Sequence, residues 1–394
     1  MALSKIDIEN MVTGETPVAN GGTGQTTLAA AGLTRPDAKP LIINGNMAIA
    51  QRGTSFTHAN SNNNEFPVDR FQFVVGSIGA FTSTQETLSS GAAYNAGFRK
   101  AARIDTTTAV ASPDAGDYFW FQYGMEAQDC LVFKKGTSNA EKMTVAFWVK
   151  SNKTGTGQLT VKDDDNDRQV AGTYAISSAD TWEHKVVNLP ADTSGAITND
   201  SGLGFRFEWW LGAGSTYSGG AVPTAWEARA SGDRGVSNLA INDNTANDWA
   251  ITGVQVEVGE YSSTTLPPFQ HESYGDNLKR CQRYAYEVVS NESSAGNAPI
   301  GTAGIMYSSS QMMFNIPFPV PMRTNPSLTC SSASNNYSFL RNSAADTFDD
   351  FVIDKANSNL AEVKNSTDIS GTAGHGGMVR TNASSLSVLF TAEL

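Results

Sequence analysis

Short segments in which apolar and polar residues alternate with a period of two recur along most of this 394-residue chain, and they constrain its fold more tightly than any other feature. After LIINGNMAIA at residue 41 come VDRFQFVV, FRKAARID, DYFWFQY, KMTVAFWVK, GQLTVK, HKVVNL, GLGFRFEWW and DWAITGVQVEVG, separated by polar and Gly-rich turns. Neighbouring strand residues point to opposite faces, so each segment can bury one face, and strands at these intervals suit two packed sheets. The expected fold is all-β, with a jelly-roll-like sandwich over residues 41–270. In VAFWVK, Val145, Phe147 and Val149 would face one side, and Ala146 and Trp148 the other. Both faces are partly apolar, which implies a buried strand or one packed against another subunit.

The stretch Asn247–Tyr286 closes the sandwich and leaves it. Trp249, Ile251, Val254, Val256 and Val258 alternate, with Gly253 where a bulge fits. Pro267 and Pro268 break the pattern. Asp276 then stands as an N-cap, and Leu278, Cys281, Ala285 and Val288 follow at helical spacing, which predicts a linking helix over 271–290. Residues 291–394 read as a smaller C-terminal β domain built from IGTAGIMY, QMMFNIPFPV, NYSFL, DDFVID and SLSVLF. Pro317, Pro319 and Pro321 cannot donate ladder hydrogen bonds, so their segment is expected at a sheet edge or as an extended arm. A domain of this size gains from packing against copies of itself.

Residues 1–40 are small, polar and Gly-rich, with little capacity for a core, and are expected to form an extended segment. NGGTGQTT lacks the Lys that a phosphate-cradling loop requires.

The net charge of −12, with no cluster of Lys or Arg, opposes binding to a nucleic-acid backbone. No apolar run is long enough for a membrane span, and the N-terminus lacks the order of a signal peptide. Cys130, Cys281 and Cys330 form no metal-binding pair and are expected as free thiols. His58, His184, His271 and His375 are scattered, and neither H-E-x-x-H nor G-x-S-x-G occurs. Asp163, Asp165 and Asp167 alternate as in a calcium loop, but Arg168 and Tyr174 stand where such a loop needs Gly and Glu, so a hairpin tip is expected.

Pro17–Gly24 and Thr26–Leu33 resemble the PVANGGTG module of phage tail fibres. N-G-N at 44–46, Q-R-G-T-S-F at 51–56, D-R-F at 69–71, F-W-V-K-S at 147–151, W-A-I-T-G-V-Q-V-E-V-G at 249–259, P-F-Q-H-E-S-Y-G at 268–275, C-Q-R-Y at 281–284 and F-P-V-P-M-R-T-N-P-S-L-T at 318–329 resemble, in that order, the carbohydrate-binding-like sandwich of bacteriophage tail-fibre and related virion proteins. Met47 stands where that family often has an aromatic residue, and 331–394 matches none of its patterns.

The resemblance implies a homotrimeric tail fibre of the virion, assembled in the bacterial host cytoplasm. Its N-terminal segment would dock on phage tail proteins, and its β domains would bind a host surface glycan without cleaving it. A structural adaptor or decoration protein and a glycan-degrading tailspike are the alternatives. The resemblance also implies a structural Ca²⁺ held by Asn44, Asn46 and Glu257, with cross-strand hydrogen bonding as the competing role for these residues. Sugar C–H faces stack on aromatic rings while polar groups orient the hydroxyls, which singles out Trp209, Trp210, Tyr217 and Trp226, where a strand gives way to a Gly/Ser loop. Packing in the core or at a subunit interface is the alternative for these four rings.

Overall fold

A computed structural model describes residues 39–59, 64–289 and 297–394. The expectations for the N-terminal segment therefore lie, apart from residues 39 and 40, outside the described residues. The chain is all-β, and its strands pair antiparallel. No described helix is long and apolar enough to cross a membrane.

The sandwich strands are β1 (Ser55–His58), β2 (Glu65–Val68), β3 (Phe71–Gly76), β4 (Ala80–Thr87), β5 (Lys100–Thr108), β6 (Tyr118–Glu126), β7 (Met143–Lys150), β8 (Gly155–Asp163), β9 (Arg168–Ile176), β10 (Glu183–Leu189), β11 (Leu203–Ala213), β12 (Glu227–Ala228) and β13 (Asp248–Val258). One sheet runs β1-β4-β5-β13-β7-β10 and the other β12-β9-β8-β11-β6-β3-β2. The inward residues are those the alternation selects: Phe71 and Phe73, Phe119 and Phe121, Val145 and Phe147, Phe205, Phe207 and Trp209, Trp249 and Ile251 form one core. Trp148, on the other face of β7, packs against Leu88, Phe98 and Trp182 of its own chain.

LIINGNMAIA forms no strand, because Asn44 and Met47 take left-handed conformations in a tight turn. VDRFQFVV is divided between β2 and β3 at Arg70, also left-handed. Gly253 is the bulge in β13: its φ of 62° accompanies a register shift against β7 between Thr252 and Gln255.

The helix is shorter than its periodicity suggested. α1 (Tyr274–Gln282) is capped by Ser273, whose Oγ accepts from Asp276 N at 3.2 Å while donating to the Asp276 carboxylate at 2.6 Å. Asp276 is thus the third residue of a capping pair and not the cap itself. Ala285 and Val288 lie on a strand, β14 (Ala285–Val289), where β-branched valines are favoured. The C-terminal domain continues with β15 (Pro299–Ser308), β16 (Gln311–Pro317), β17 (Ser327–Cys330), β18 (Tyr337–Arg341), β19 (Ala344–Phe348), β20 (Val352–Ala356), β21 (Leu360–Asn365), β22 (Gly376–Thr381) and β23 (Val388–Thr391). A small sheet, β14-β23-β17, faces a larger one, β19-β18-β22-β15-β16-β21-β20, across a core that includes Phe314, Tyr337, Phe339, Val363 and Phe390. β16 is an interior strand that ends at Pro317, and Pro319 and Pro321 fall beyond it, which resolves the conflict between prolines and ladder bonding.

The chain end returns to the sandwich and ties the two domains together. Glu393 is held between two nearly buried guanidiniums, accepting from Arg52 at 2.6 Å and pairing with Arg70. Arg70 also lies 3.4 Å from the centre of the Tyr284 ring. Arg283 makes two bonds to Glu126 at 2.6 and 2.8 Å, and Arg323 donates to Ser201 O in the sandwich and to Ala392 O in the last segment. Leu394 packs with Ile43, Ile49, Cys281 and Tyr284. Burial opposes the Glu393 charge, yet Arg70 and Arg52 hold its pKa below the usual carboxylate value.

Candidate functional site

Neither Trp209 nor Trp210 is a platform for a ligand, because both rings are 0% exposed. Trp209 points between the sheets, 5.7 Å edge-on from Phe147 and 5.9 Å from Phe121. Trp210 points outward, as the strand period requires, but the segment after β11 folds back over it. Gly235 lies so close that a Cβ there would stand 2.5 Å from the indole, and Gln158 and Thr160 bond the Arg234 carbonyl at 2.9 and 2.7 Å to fix that segment. Trp226 sits elsewhere, half-buried at the sandwich edge beside Phe205, with its Nε1 donating to Pro190 O at 2.8 Å. Tyr217 is half-buried on the outer face of the sheet that contains β6 and β11.

That outer face sets aromatic rings and amides side by side. Outward residues of adjacent strands align as Gln72, Gln122 and Glu208 in one row and Val74, Trp120 and Trp210 in the next. Tyr118 continues β6 beyond Trp120; the two ring centres are 4.8 Å apart, and Tyr217 meets Tyr118 edge-on at 5.6 Å. The Tyr118 ring lies flat over Gly76, its partner on β3, where a Cβ would come within 2.4 Å of the ring. Glycine is therefore part of the site: it sets the height of the tyrosine. Gln122 accepts from Trp120 Nε1 and donates to Gln72 Oε1, both at 2.8 Å, a chain that fixes the orientation of its amide.

The charges on this face are ordered by burial. Arg234 lies 5.0 Å from the centres of both Trp120 and Trp210 and makes a forked pair with fully buried Glu208 at 2.7 and 2.9 Å. Lys162 approaches Glu208 at 3.9 Å and Asp164 at 3.3 Å, and Arg206 approaches Asp164 at 3.7 Å. Burial lowers the Lys162 pKa, and Glu208 and Asp164 work against that shift. The half-buried groups left at the surface are Gln72, Gln122, Tyr118, Tyr217 and Arg206, with the Trp120 indole beneath them. Ring faces beside fixed amides and a guanidinium can stack on an apolar sugar face and bond its hydroxyls.

Asn44, Asn46 and Glu257 each have hydrogen-bond partners within the protein. The Asn44 amide donates to Ile49 O and Asp69 O, both at 2.9 Å, and its Oδ1 accepts from Ile49 N at 2.9 Å. Asn277 donates to Asn44 and Asn46. Val254, not Glu257, is the β13 residue bonded to this turn, through Gly45 O. Glu257 instead accepts from Gln255 at 2.9 Å, and burial raises its pKa. Of the scattered histidines, His184 packs tilted against Trp148 at 5.0 Å and His271 meets Phe269 edge-on at 4.8 Å, whereas His58 bonds Ser83 in the interior. Asp163 is not a solvated tip residue: it is buried, pairs with Lys135 at 2.6 Å, and anchors the β8–β9 turn by accepting from Asp165 N and Asn166 N. A cleft of about 320 Å³ opens beside α1, but its guanidiniums, Arg280 and Arg283, already pair with Glu272 and Glu126.

No model of a protein family matches the sequence, and no curated protein does. Among solved structures the chain is similar to a putative sugar binding protein from Bacteroides thetaiotaomicron, with 13% identity over 56% of this chain and 100% of that one and a TM-score of 0.29. It is similar to the enzymatically active domain of tailspike protein 4 of bacteriophage CBA120, with 10% identity over 56% of this chain and a TM-score of 0.27, and it spans 21% of that chain. The tandem CBM22-1–CBM22-2 domain of Paenibacillus barcinonensis Xyn10C gives 8% identity over 90% of this chain and 91% of that one, with a TM-score of 0.27. At such scores the functional reading rests on the chain's own residues.

Proposed function

We propose that this chain is a non-enzymatic tail-fibre protein of a bacteriophage that attaches the virion to a glycan on the host surface. The observation that carries the glycan part is the outer face around Trp120, where Tyr118 and Tyr217 stand beside the oriented amides of Gln72 and Gln122. The tail-fibre part is supported by the motifs from Asn44 to Thr329 and by the Pro17–Leu33 segment, which would dock on the tail. Single sugar contacts are weak, and a homotrimer with several fibres per particle would multiply them.

Host polysaccharide immobilised in a gel tests the reading. The protein is expected to be retarded, Tyr217→Ala and Gln122→Ala to migrate faster than the parent, and the polymer to keep its length. Free protein should also block adsorption of the phage. Retardation unchanged in both variants would exclude this face, and shortening of the polymer would favour the tailspike alternative.

A further inference from the structure

The cleft beside α1 is lined by groups whose hydrogen-bonding capacity the protein leaves open. Its volume of about 320 Å³ lies at the small end of the range for ligand pockets, about 300–1,000 Å³, and suits a small ligand better than a polymer. One wall is the helical turn Ala127–Cys130 after β6, fixed by Ala127 N and Gln128 N donating to Gly202 O and Asp200 O, both at 2.9 Å. The opposite wall is the end of α1 and the residues after it, with Arg280, Arg283 and Tyr284. Pro40 and Leu41, both half-buried, give the lining an apolar part.

Charges of opposite sign face this cleft without closing on one another. Among the described residues the side chains of Asp129 and Lys39 have no ion-pair or hydrogen-bond partner. Partial burial raises the Asp129 pKa, Glu126 adds to the rise, and Arg280 and Arg283 oppose it, so both guanidiniums act on the carboxylate without touching it. Each keeps a donor in reserve. Arg280 gives Nη1 to Glu272 and Nη2 to Pro40 O, which leaves Nε, while Arg283 gives Nε and Nη2 to Glu126, which leaves Nη1. Gln128 gives Nε2 to Glu126 at 2.6 Å and keeps its carbonyl oxygen as an acceptor. With Glu126 and Glu272 counted beside Asp129, three carboxylates balance the three cations Lys39, Arg280 and Arg283, so the lining favours neither a free anion nor a free cation. A hydroxyl is the group that accepts from a guanidinium or ammonium while donating to a carboxylate. Adjacent hydroxyls on a ring whose C–H groups rest on apolar side chains satisfy both kinds of lining at once.

We propose that this cleft is a second carbohydrate site, one that takes a single neutral sugar unit, with the Asp129 carboxylate accepting from adjacent hydroxyls and Lys39, Arg280 and Arg283 donating to their oxygens. The C–H face of the ring lies on Pro40 and Leu41. The inference goes beyond the outer face around Trp120 and does not rest on it. That face is open and suits a length of polymer, whereas the cleft suits a chain end or a side branch. The sugar touches the sandwich through Gln128 and Asp129, and the passage to the C-terminal domain through Arg280 and Arg283, so its binding also stabilises the junction between them.

Saturation-transfer NMR on the full-length protein, with methyl α-D-glucoside, methyl α-D-galactoside and methyl α-L-rhamnoside as probes, reads the binding of one sugar unit. At least one of the three is expected to bind the parent and to raise its melting temperature. Asp129→Asn keeps the shape of the side chain and removes its charge, and it should weaken that binding at least tenfold while leaving the melting temperature without sugar unchanged. Tyr217→Ala should bind the same probe as the parent does, and sulfate should not displace it. A parent that binds none of the three probes, or an Asp129→Asn protein that binds as tightly as the parent, would overturn the proposal. Displacement by sulfate would make the cleft an anion site, and loss in Tyr217→Ala would move the sugar to the outer face; either would overturn it as well. Retardation by polysaccharide in a gel reads the outer face separately, so each reading can fail without the other.

Discussion

Replacing Glu393 with Gln perturbs the junction at its centre while keeping the side chain's size. In the parent the carboxylate, with its side chain 14% exposed, lies between Arg52 and Arg70, whose side chains are 8% and 2% exposed. Asp69, 3.7 Å from Arg52, is the other nearby carboxylate, and burial raises its pKa, with the Glu393 charge adding to that rise. Removing the Glu393 charge therefore leaves Arg70 without an ion-pair partner among the described residues and Arg52 with Asp69 alone, and breaking a buried pair in this way costs about 3–5 kcal/mol. The acid limb carries the same signature. The folded pKa of Glu393 lies below its ordinary value of 4.5, so its contribution is fully present above 4.5 and is lost as the pH falls through the lower folded value. Asp69 acts in the opposite sense: its contribution is present below 3.8 and fades as the pH rises through its raised folded value. The difference between parent and Glu393→Gln isolates the first term. Urea unfolding at pH 7 and pH 4, followed by tryptophan fluorescence, should show the variant less stable by about 3–5 kcal/mol at pH 7 and the gap narrowing at acid pH. A variant within about 0.5 kcal/mol of the parent at pH 7 would refute the view that this cluster clamps the domains.

The remaining predictions are local. Ser273→Ala removes the cap of α1 and should cost about 1 kcal/mol by thermal unfolding, with Ser273→Gly costing only a few tenths. Gly76→Ala should displace the Tyr118 ring, lowering glycan retention in the gel while leaving the far-ultraviolet circular dichroism unchanged, because the three atoms nearest the added methyl, at 2.4, 2.5 and 2.7 Å, all belong to that ring. Treatment with a chelator should leave the melting temperature unaltered, since Asn44 is committed to protein hydrogen bonds; a fall would restore the calcium role for Asn44, Asn46 and Glu257.

The sandwich was legible because burial repeats every two residues, and Val145, Phe147, Val149, Trp249 and Ile251 fall on the core side as the alternation requires. Helix periodicity misled over Ala285 and Val288 because positions three and four apart coincide with strand positions whenever both faces are partly apolar. The ring candidates failed for a different reason: outward direction is set by the strand, but exposure is set by whatever folds over it. Trp210 does point outward, and the segment through Arg234 and Gly235, fixed by Gln158 and Thr160, covers it. The signal for the outer face was present in DYFWFQY, which puts Tyr118, Trp120 and Gln122 on one side, but nothing local tells that side from the core side carrying Phe119 and Phe121. Motifs that carried the family resemblance contribute Arg52, Asp69, Arg70, Arg283, Tyr284 and Arg323, and all of these meet at the interdomain junction. They identify an architecture and leave the binding surface to be found from geometry.

The central claim is that the chain holds a glycan on the outer face that contains Trp120, and the intrinsic fluorescence of the protein titrated with purified host polysaccharide tests it most directly. The account predicts a saturable change for the parent that is lost in a Tyr217→Ala, Gln122→Ala double variant of unchanged melting temperature. A parent whose fluorescence does not respond, or a double variant that binds as tightly as the parent, would contradict it.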